Sequence, residues 1–441
     1  MSLFQKTIAI CLAIGFIGAF YGQTLATIIV VDFPDENLEA AVRDELNIPT
    51  DPITVVDMET MERLSADYSD ISNLQGLEYA TNLRTLLLDD NNASNISPIA
   101  GLTNLTMLNL YGNNISDISP IAGLTNLTLL DLSINNISNI SSVTNLTNLT
   151  ALDLNGNHIS DISSVTNLTN LVALRLSSNN ISDISPVAGL AANLTDLTLS
   201  SNNISDISPV AGLTNLAGLA LVSNNISDIS PLANLTDIYY LTLDHNNVSD
   251  TSSLANLTNL ECLYLRSNQI ETLNLSNASF SALFSFDIGD NPLTEVLLAN
   301  SKLDQNAFTA IMEGGVSTHY GIANLGGVLR LDMSGSDFSD ISDFSALFTA
   351  DDLEELSLSE ATNLDGSEVV ALIGELDSLN WLDVSGPWDS FSTSEQNALH
   401  AWDAIPGNTL VTGAVPEPTI TSLLLTLIGL AILWKKQRGI H

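Results

Sequence analysis

The apolar residues in the central part of the chain repeat with a period of about 22 residues. Residues 104–125, 126–147 and 193–214 show the repeat most clearly: they read NLTMLNLYGNNISDISPIAGLT, NLTLLDLSINNISNISSVTNLT and NLTDLTLSSNNISDISPVAGLT. A repeat of this fixed length predicts a solenoid, in which each coil packs on its neighbours.

The apolar spacing changes within each block, so one block is neither a single helix nor a single strand. Leu108 and Leu110 alternate with polar residues, which predicts a short strand with both leucines facing inward. Ile115, Ile118 and Ile121 follow at a spacing of three, which favours a tight return path with turns of 3₁₀ type.

An asparagine recurs where each predicted strand turns away. Its side-chain amide both accepts and donates hydrogen bonds, so a buried column of asparagines satisfies backbone groups that no sheet partner reaches. We therefore interpret the column as a structural ladder, which Asn291 extends more loosely. The ladder consists of Asn91, Asn113, Asn135, Asn157, Asn179, Asn202, Asn224, Asn246 and Asn268.

These motifs resemble the leucine-rich-repeat signature, and the form N-x-I-S-D-I-S-P is similar to the bacterial internalin-type class. The resemblance covers roughly half of the chain. It implies an α/β solenoid, a right-handed superhelix with a concave parallel β-sheet, and usually a binding function.

The regular repeats occupy residues 82–294 and are flanked by sequence that does not follow the 22-residue pattern. Residues 27–81 are expected to form an N-terminal helical cap and a degenerate first repeat, with Asp35 capping a helix whose buried face includes Leu38 and Val42. Such a cap protects the open edge of the sheet.

Residues 295–414 are expected to form irregular, longer repeats, with strands around Leu331, Leu356 and Leu382, and a C-terminal cap. The text from 368 to 376 and from 394 to 404 favours α-helices on the outer face. Three tryptophans are expected to fill the cap: Trp381, Trp388 and Trp402.

The N-terminus, residues 1–26, has the pattern of a secretory signal peptide. One base, Lys6, precedes an apolar run and a small-residue stretch that ends at Ala26. A retained membrane anchor is the alternative interpretation.

The C-terminal segment, residues 415–441, contains an apolar stretch from 419 to 434 followed by Lys435, Lys436 and Arg438. As a helix this stretch spans about 24 Å, short for a membrane crossing, and the basic tail favours a cytoplasmic end.

The motif Pro416, Glu417 and Pro418, followed by this span and tail, resembles the PEP-CTERM sorting signal of Gram-negative bacteria. The resemblance implies transient anchoring in the membrane, removal of the tail by an exosortase, and delivery to the outer surface or extracellular matrix. The alternative is a plain single-span anchor.

The charge balance excludes several classes of partner. Lysine plus arginine number 11 against 51 acidic residues, for a net charge of -40, so nucleic acid and anionic lipid surfaces are not expected partners. The two cysteines, Cys11 and Cys262, provide no disulfide framework, so stability must come from the solenoid core.

Two adjacent coils depart from the small polar residues that otherwise face outward from the strands. Aromatic residues and an arginine clustered on a rigid sheet have the composition of a binding hot spot, expected to take a protein or polysaccharide ligand on the concave face. An incidental surface is the alternative. The candidate ligand-binding residues are Tyr239, Tyr240, Asp244, His245, Glu261, Tyr264 and Arg266, with Cys262 beside them.

A second column places one acidic residue per coil on the return side. We interpret each aspartate as the cap of the following tight turn. A weaker hypothesis is calcium bridging between neighbouring coils, at Asp183, Asp206 and Asp228. The full column is Asp117, Asp161, Asp183, Asp206, Asp228 and Asp250.

The chain contains no G-x-S-x-G motif, no H-E-x-x-H motif and no phosphate-binding glycine loop. We therefore expect neither enzymatic activity nor a cofactor. The expected function is that of an exported binding protein, with adhesion as its role. The rival is a structural component of a matrix or biofilm, crosslinked through cations or glycans.

Overall fold

The computed structural model describes residues 29–313, 327–350 and 352–412. The chain divides into two compact units, with the boundary between Leu127 and Thr128. The predicted signal peptide and sorting segment lie outside the described residues. Within the described ranges, no helix is long and apolar enough to cross a membrane.

Among its described residues, the first unit contains two α-helices and three parallel strands in the order β1, β2, β3. Their bounds are α1 Glu36–Leu46, α2 Val55–Glu59, β1 Arg63–Ser65, β2 Thr85–Leu87 and β3 Met107–Asn109.

Helix α1 begins at Asp35, as predicted, because one carboxylate oxygen of Asp35 accepts from the backbone N–H of Leu38 at 3.1 Å. The other oxygen accepts from the N–H groups of Ser72 at 2.8 Å and Asn73 at 3.1 Å. One buried side chain therefore caps the helix and joins it to the first coil.

The second unit contains three helices and sixteen strands among its described residues. The helices are α3 Gln305–Glu313, α4 Gly366–Glu375 and α5 Thr393–Asp403. The strands are β4 Leu129–Asp131, β5 Ala151–Asp153, β6 Ala173–Arg175, β7 Asp196–Thr198, β8 Gly218–Ala220, β9 Tyr240–Thr242, β10 Cys262–Tyr264, β11 Thr272–Asn274, β12 Ser279–Phe280, β13 Ser285–Asp287, β14 Glu295–Leu297, β15 Lys302–Leu303, β16 Arg330–Asp332, β17 Glu355–Ser357, β18 Trp381–Asp383 and β19 Thr409–Val411.

Strands β4 to β10 and then β13 form one parallel sheet, which we call the first sheet of this unit. The middle residue of every strand is buried, and the residues on either side of it lie on the opposite face, as the period of two requires. Consecutive middle residues pair in register: Leu130, Leu152, Leu174, Leu197, Leu219, Leu241, Leu263 and Phe286.

Each regular coil returns through a 3₁₀ helix, which confirms the interpretation of the three-residue spacing. Examples are Ser185–Leu190 and Ser208–Gly212, each with a proline in the first turn. Proline fits there because its fixed φ suits the start of a helix, where its missing N–H has no acceptor.

The nine ladder asparagines are all buried, and Asn157 shows how each connects two coils. Its oxygen accepts from the backbone N–H of Ile137 at 2.9 Å. Its nitrogen donates to the carbonyls of Leu132 at 3.0 Å and Leu154 at 3.1 Å. The amide thus pairs backbone groups at the turn, where the sheet has ended.

A second, exposed ladder explains the recurrent Asn-Leu-Thr text. The side-chain nitrogen of Asn170 donates to the carbonyl of Thr147 at 2.9 Å, and that of Asn259 donates to the carbonyl of Thr236 at 2.9 Å. The same contact is formed by Asn82, Asn104, Asn126, Asn193 and Asn215.

A second parallel sheet begins before the first one ends. Strand β11 pairs with β14, and the sheet continues through β16, β17, β18 and β19, while β10 pairs past β11 with β13. The leucine pattern correctly predicts the strands around Leu331, Leu356 and Leu382. These strands form a second parallel sheet and do not continue the first one.

Thr251 marks this change of architecture. It occupies the position before a 3₁₀ helix where Ile229 stands one coil earlier, and it is fully buried. The Thr251 hydroxyl accepts a hydrogen bond from the backbone N–H of Asn274 at 2.8 Å. The same hydroxyl donates to the backbone carbonyl of Asn274 at 3.3 Å. A side chain therefore serves as hydrogen-bonding partner to the edge of β11.

The C-terminal part carries helices α4 and α5 in the two stretches where they are expected. Trp388 and Trp402 are 2% and 3% exposed, consistent with a filled cap. Trp381 is different, because it begins β18 and lies on the sheet between Glu355 and Thr409. Its predicted place inside the cap is wrong, since the first position of these strands faces outward.

Candidate binding surface

The solvent-facing side of strands β9, β10 and β13 carries four aromatic residues, which we call the aromatic patch: Tyr239, Tyr240, Tyr264 and Phe284. Tyr239 is 48% exposed, Tyr240 37% and Phe284 52%. Phe284 is not among the residues predicted from the sequence. It follows Leu283 as Tyr239 follows Ile238, so the repeat register alone was sufficient to find it.

Two tyrosines of the patch pack against each other. The rings of Tyr240 and Tyr264 have centroids 6.0 Å apart and planes at 66°, an edge-to-face geometry. The Tyr264 hydroxyl lies 2.9 Å from the Ser285 hydroxyl. Burial raises the pKa of Tyr240 and of Tyr264, so both phenols are neutral at physiological pH.

Arg266 is engaged by the protein itself. One guanidinium nitrogen lies 2.6 Å from a carboxylate oxygen of Asp290, another lies 3.9 Å from Asp287, and the side chain is 19% exposed. Both acidic residues belong to the next coil. Its role in ligand binding stays a prediction, and in the structure its charge joins two coils.

Asp244 and His245 lie at the far end of the strand, where the chain turns. An Asp244 carboxylate oxygen accepts from the Arg266 N–H at 2.7 Å, and burial is the main cause that raises the pKa of Asp244. His245 adopts a left-handed conformation, with φ of 56°, and its N–H donates to the carbonyl of Arg266 at 2.8 Å. These residues shape the turn, whereas Glu261 is exposed beside the aromatic patch.

A charged cluster lies on the same face, on strands β4 to β7. Arg175 is 3.9 Å from a carboxylate oxygen of Asp153 and 3.8 Å from one of Asp196. Burial, together with the charges of Asp131 and Asp196, raises the pKa of Asp153 to about 6, while the hydrogen bond from the Asn155 N–H and the charge of Arg175 oppose the shift. The cluster forms because these four side chains lie on neighbouring strands, so the sequence of a single repeat does not predict it.

The column of aspartates on the return side forms turn caps. A carboxylate oxygen of Asp183 accepts from the Ser185 N–H at 2.8 Å. Asn139 makes the same bond to the Ser141 N–H at 2.9 Å, so the contact does not require a charge.

Asp206 and Asp228, the other two residues proposed to bind calcium, accept the same hydrogen bond from the backbone N–H two residues later. Asp206 and Asp228 have pKa values lowered by hydrogen bonds from Ser208 and Ser230. Among the described residues, no group of three histidine, cysteine or acidic side chains is placed to hold a metal ion. The hypothesis of calcium at Asp183, Asp206 and Asp228 thus has no three-ligand group behind it.

The family profile described as Leucine Rich repeats (2 copies) matches residues 103–146, 147–189 and 192–234. These are the coils whose parallel strands, 3₁₀ returns and asparagine ladder are described above. The chain is a leucine-rich-repeat protein. No curated protein sequence matches it.

Solved structures with leucine-rich repeats are similar to this leucine-rich-repeat protein. Internalin InlF from Listeria monocytogenes is 30% identical, with 89% of this chain and 100% of that chain covered and a TM-score of 0.49. The functional domain of InlJ from Listeria monocytogenes is 19% identical, with 81% and 82% covered and a TM-score of 0.51, a likeness of fold.

A plant structure is also similar. It is the leucine-rich-repeat ectodomain of the receptor kinase GASSHO1/SCHENGEN3 from Arabidopsis thaliana, solved in complex with CASPARIAN STRIP INTEGRITY FACTOR 2. It is 21% identical, with 71% of this chain and 43% of that chain covered and a TM-score of 0.42.

The chemistry available on this leucine-rich-repeat surface is that of recognition. Neutral aromatic side chains on neighbouring strands offer apolar faces and phenolic hydroxyls at low conformational cost, because a parallel sheet fixes their backbone. Arg266 is paired, whereas Glu261, which is exposed beside the aromatic patch, forms no salt bridge with any residue that the structure describes.

Proposed function

We propose that this protein is an exported leucine-rich-repeat binding protein that recognises a protein or polysaccharide ligand through strands β9, β10 and β13. The observation that carries the proposal is the aromatic patch, since large aromatic side chains clustered on a rigid surface dominate binding energies at interfaces. A preformed sheet loses little entropy on binding. Adhesion is the role that fits such a surface on an exported protein.

The binding experiment uses the purified full-length protein on a panel of polysaccharides and extracellular proteins. Tyr240→Ala with Tyr264→Ala is expected to weaken capture at least tenfold, because truncation of central aromatic residues typically costs more than about 1 kcal/mol each. Tyr68→Ala is the matched control, as Tyr68 is 75% exposed and lies in the first unit. Equal capture by the double variant and the control would refute the proposal.

Export is supported by the signal-peptide pattern of residues 1–26 and by the PEP-CTERM resemblance at Pro416, Glu417 and Pro418. The test is the intact mass and terminal peptides of the native protein from cell envelope and medium. A C-terminus near Pro418 supports processing by an exosortase-type enzyme and delivery to the outer surface or matrix. A retained Lys435 and Lys436 would instead indicate a membrane-tethered protein.

The rival function, a crosslinked structural component, is decided by chelation. If removal of divalent cations disperses the native material while the Tyr240→Ala, Tyr264→Ala variant still enters it, the structural function replaces the proposed one. The turn-capping bonds of the aspartate column favour binding, because those carboxylates are already used within each coil.

A further inference from the structure

Three residues at equivalent positions of successive coils form a row at one border of the aromatic patch. Tyr239, Glu261 and Phe284 each stand immediately before a strand of the first sheet. The Glu261 N–H donates to the Tyr239 carbonyl at 2.8 Å, and the Phe284 N–H donates to the Glu261 carbonyl at 3.0 Å. Neighbouring strands lie about 4.8 Å apart, so the backbones of the two aromatic residues are about 10 Å apart with the carboxylate between them.

All three side chains of this row are exposed to solvent. Among the residues that the structure describes, no basic group forms a salt bridge with Glu261. Arg266, the base on the same coil, is held by Asp287 and Asp290. The row therefore combines two exposed aromatic side chains with one carboxylate that has no cationic partner in this part of the chain.

The Tyr239 end of the row is open. The equivalent residue of the preceding coil is Ala217, whose carbonyl accepts from the Tyr239 N–H at 3.0 Å and whose methyl is too small to cover a phenol ring. At the other end, helix α3 packs against β13, and the Phe284 side chain is 52% exposed. A ligand group can thus approach Tyr239 from the side and both aromatic side chains from the solvent.

We propose that this row binds a lysine or arginine side chain of a basic segment in a partner protein. A cation seated at Glu261 forms an ion pair there and lies within reach of two aromatic side chains, whose ring faces attract positive charge. The net charge of -40 draws basic segments toward the surface. This inference rests on the proposed binding function and names its ligand class.

The test measures binding of a fluorescein-labelled peptide of alternating lysine and glycine to the purified full-length protein by fluorescence anisotropy, with a glutamine-for-lysine peptide as reference. Glu261→Gln is expected to weaken binding of the lysine peptide about fivefold. Glu354→Gln is the matched control, because Glu354 also precedes a strand, β17, but stands between Leu329 and Asn380. That control is expected to stay within about twofold of wild type.

Tyr239→Leu and Phe284→Leu separate the ring quadrupole from simple apolar contact, because leucine keeps much of the apolar surface and lacks a π face. Each is expected to weaken the lysine peptide severalfold. Circular dichroism checks that the variants are folded. Equal losses for Glu261→Gln and Glu354→Gln would overturn the proposal, since they would mean that overall charge alone attracts the peptide.

A neutral oligosaccharide, cellohexaose, separates this inference from the function on which it rests. If cellohexaose binds and loses affinity in the Tyr240→Ala, Tyr264→Ala variant, while Glu261→Gln leaves binding of the lysine peptide unchanged, the cation site is refuted while the binding function stands. If the lysine peptide does not bind at all, the cation site is likewise refuted, and the panel experiment decides the binding function separately.

Discussion

Replacement of Thr251 by valine tests how the second sheet begins. Thr251 is fully buried, and its hydroxyl accepts from the Asn274 N–H at 2.8 Å and is placed to donate to the Asn274 carbonyl at 3.3 Å. Valine keeps the shape of the side chain and removes both hydrogen bonds. Loss of a partner for a buried donor costs about 1–3 kcal/mol, whereas the added methyl recovers about 0.8 kcal/mol. We expect the free energy of unfolding to fall by about 1 kcal/mol.

The assay combines urea unfolding with hydrogen exchange at the Asn274 amide. Thr251→Val is expected to speed exchange of that amide, because its N–H no longer has an acceptor. Thr251→Ser is the matched control: it loses one methyl group and keeps the hydroxyl, so it lowers stability by packing alone and leaves the exchange rate of Asn274 near that of wild type. Unchanged exchange in Thr251→Val, or a more stable valine variant, would refute the account of the sheet boundary.

Three further substitutions follow from the structure. Ile134 is a β-branched residue that is 51% exposed and has a left-handed backbone, with φ of 54°. Because asparagine adopts this conformation more readily, Ile134→Asn is expected to raise the free energy of unfolding by about 1 kcal/mol. An unchanged or lower urea midpoint would contradict this. Asp237 stands where the exposed ladder has asparagine, so Asp237→Asn gains an amide donor that reaches the Thr214 carbonyl. The free energy of unfolding, measured by urea titration, is expected to rise by about 1 kcal/mol, and an unchanged value would contradict this. Burial raises the pKa of Asp153 to about 6, so the stability that its protonated form contributes is complete below pH ~4 and lost as the pH rises through about 6. Asp153→Asn should therefore exceed wild type in stability at pH 7.5 and not at pH 4, and a difference independent of pH would show that this carboxyl does not titrate as described.

The regular coils were predictable because their contacts recur at one sequence separation. The Leu108-x-Leu110 spacing predicts strand β3. The recurrence of asparagine at the turn position of Asn157 predicts a buried amide, since each coil repeats the environment of the one before it. The same reasoning predicts the strand at Leu331 and the cap at Asp35.

The departures from regularity were not predictable from one repeat. The acidic partners of Arg266 lie in the following coil. The sequence of its own repeat therefore gives no sign that the guanidinium is ion-paired. The second sheet depends on which strands pair, and the leucine spacing around β11 is the same whichever neighbour it takes. Thr251, a polar residue at a buried isoleucine position, was a local signal of that change.

The exposed asparagine ladder also makes the length of the solenoid adjustable. Each of its amides reaches only the coil before it, as Asn170 reaches Thr147, so a gene rearrangement that duplicates or deletes one coil between β4 and β8 rebuilds the same contact at the junction. Such a change lengthens or shortens this stretch in steps of about 5 Å and leaves β9, β10 and β13 intact. The leucine-rich-repeat array thus behaves as a spacer whose reach can evolve independently of the surface that binds.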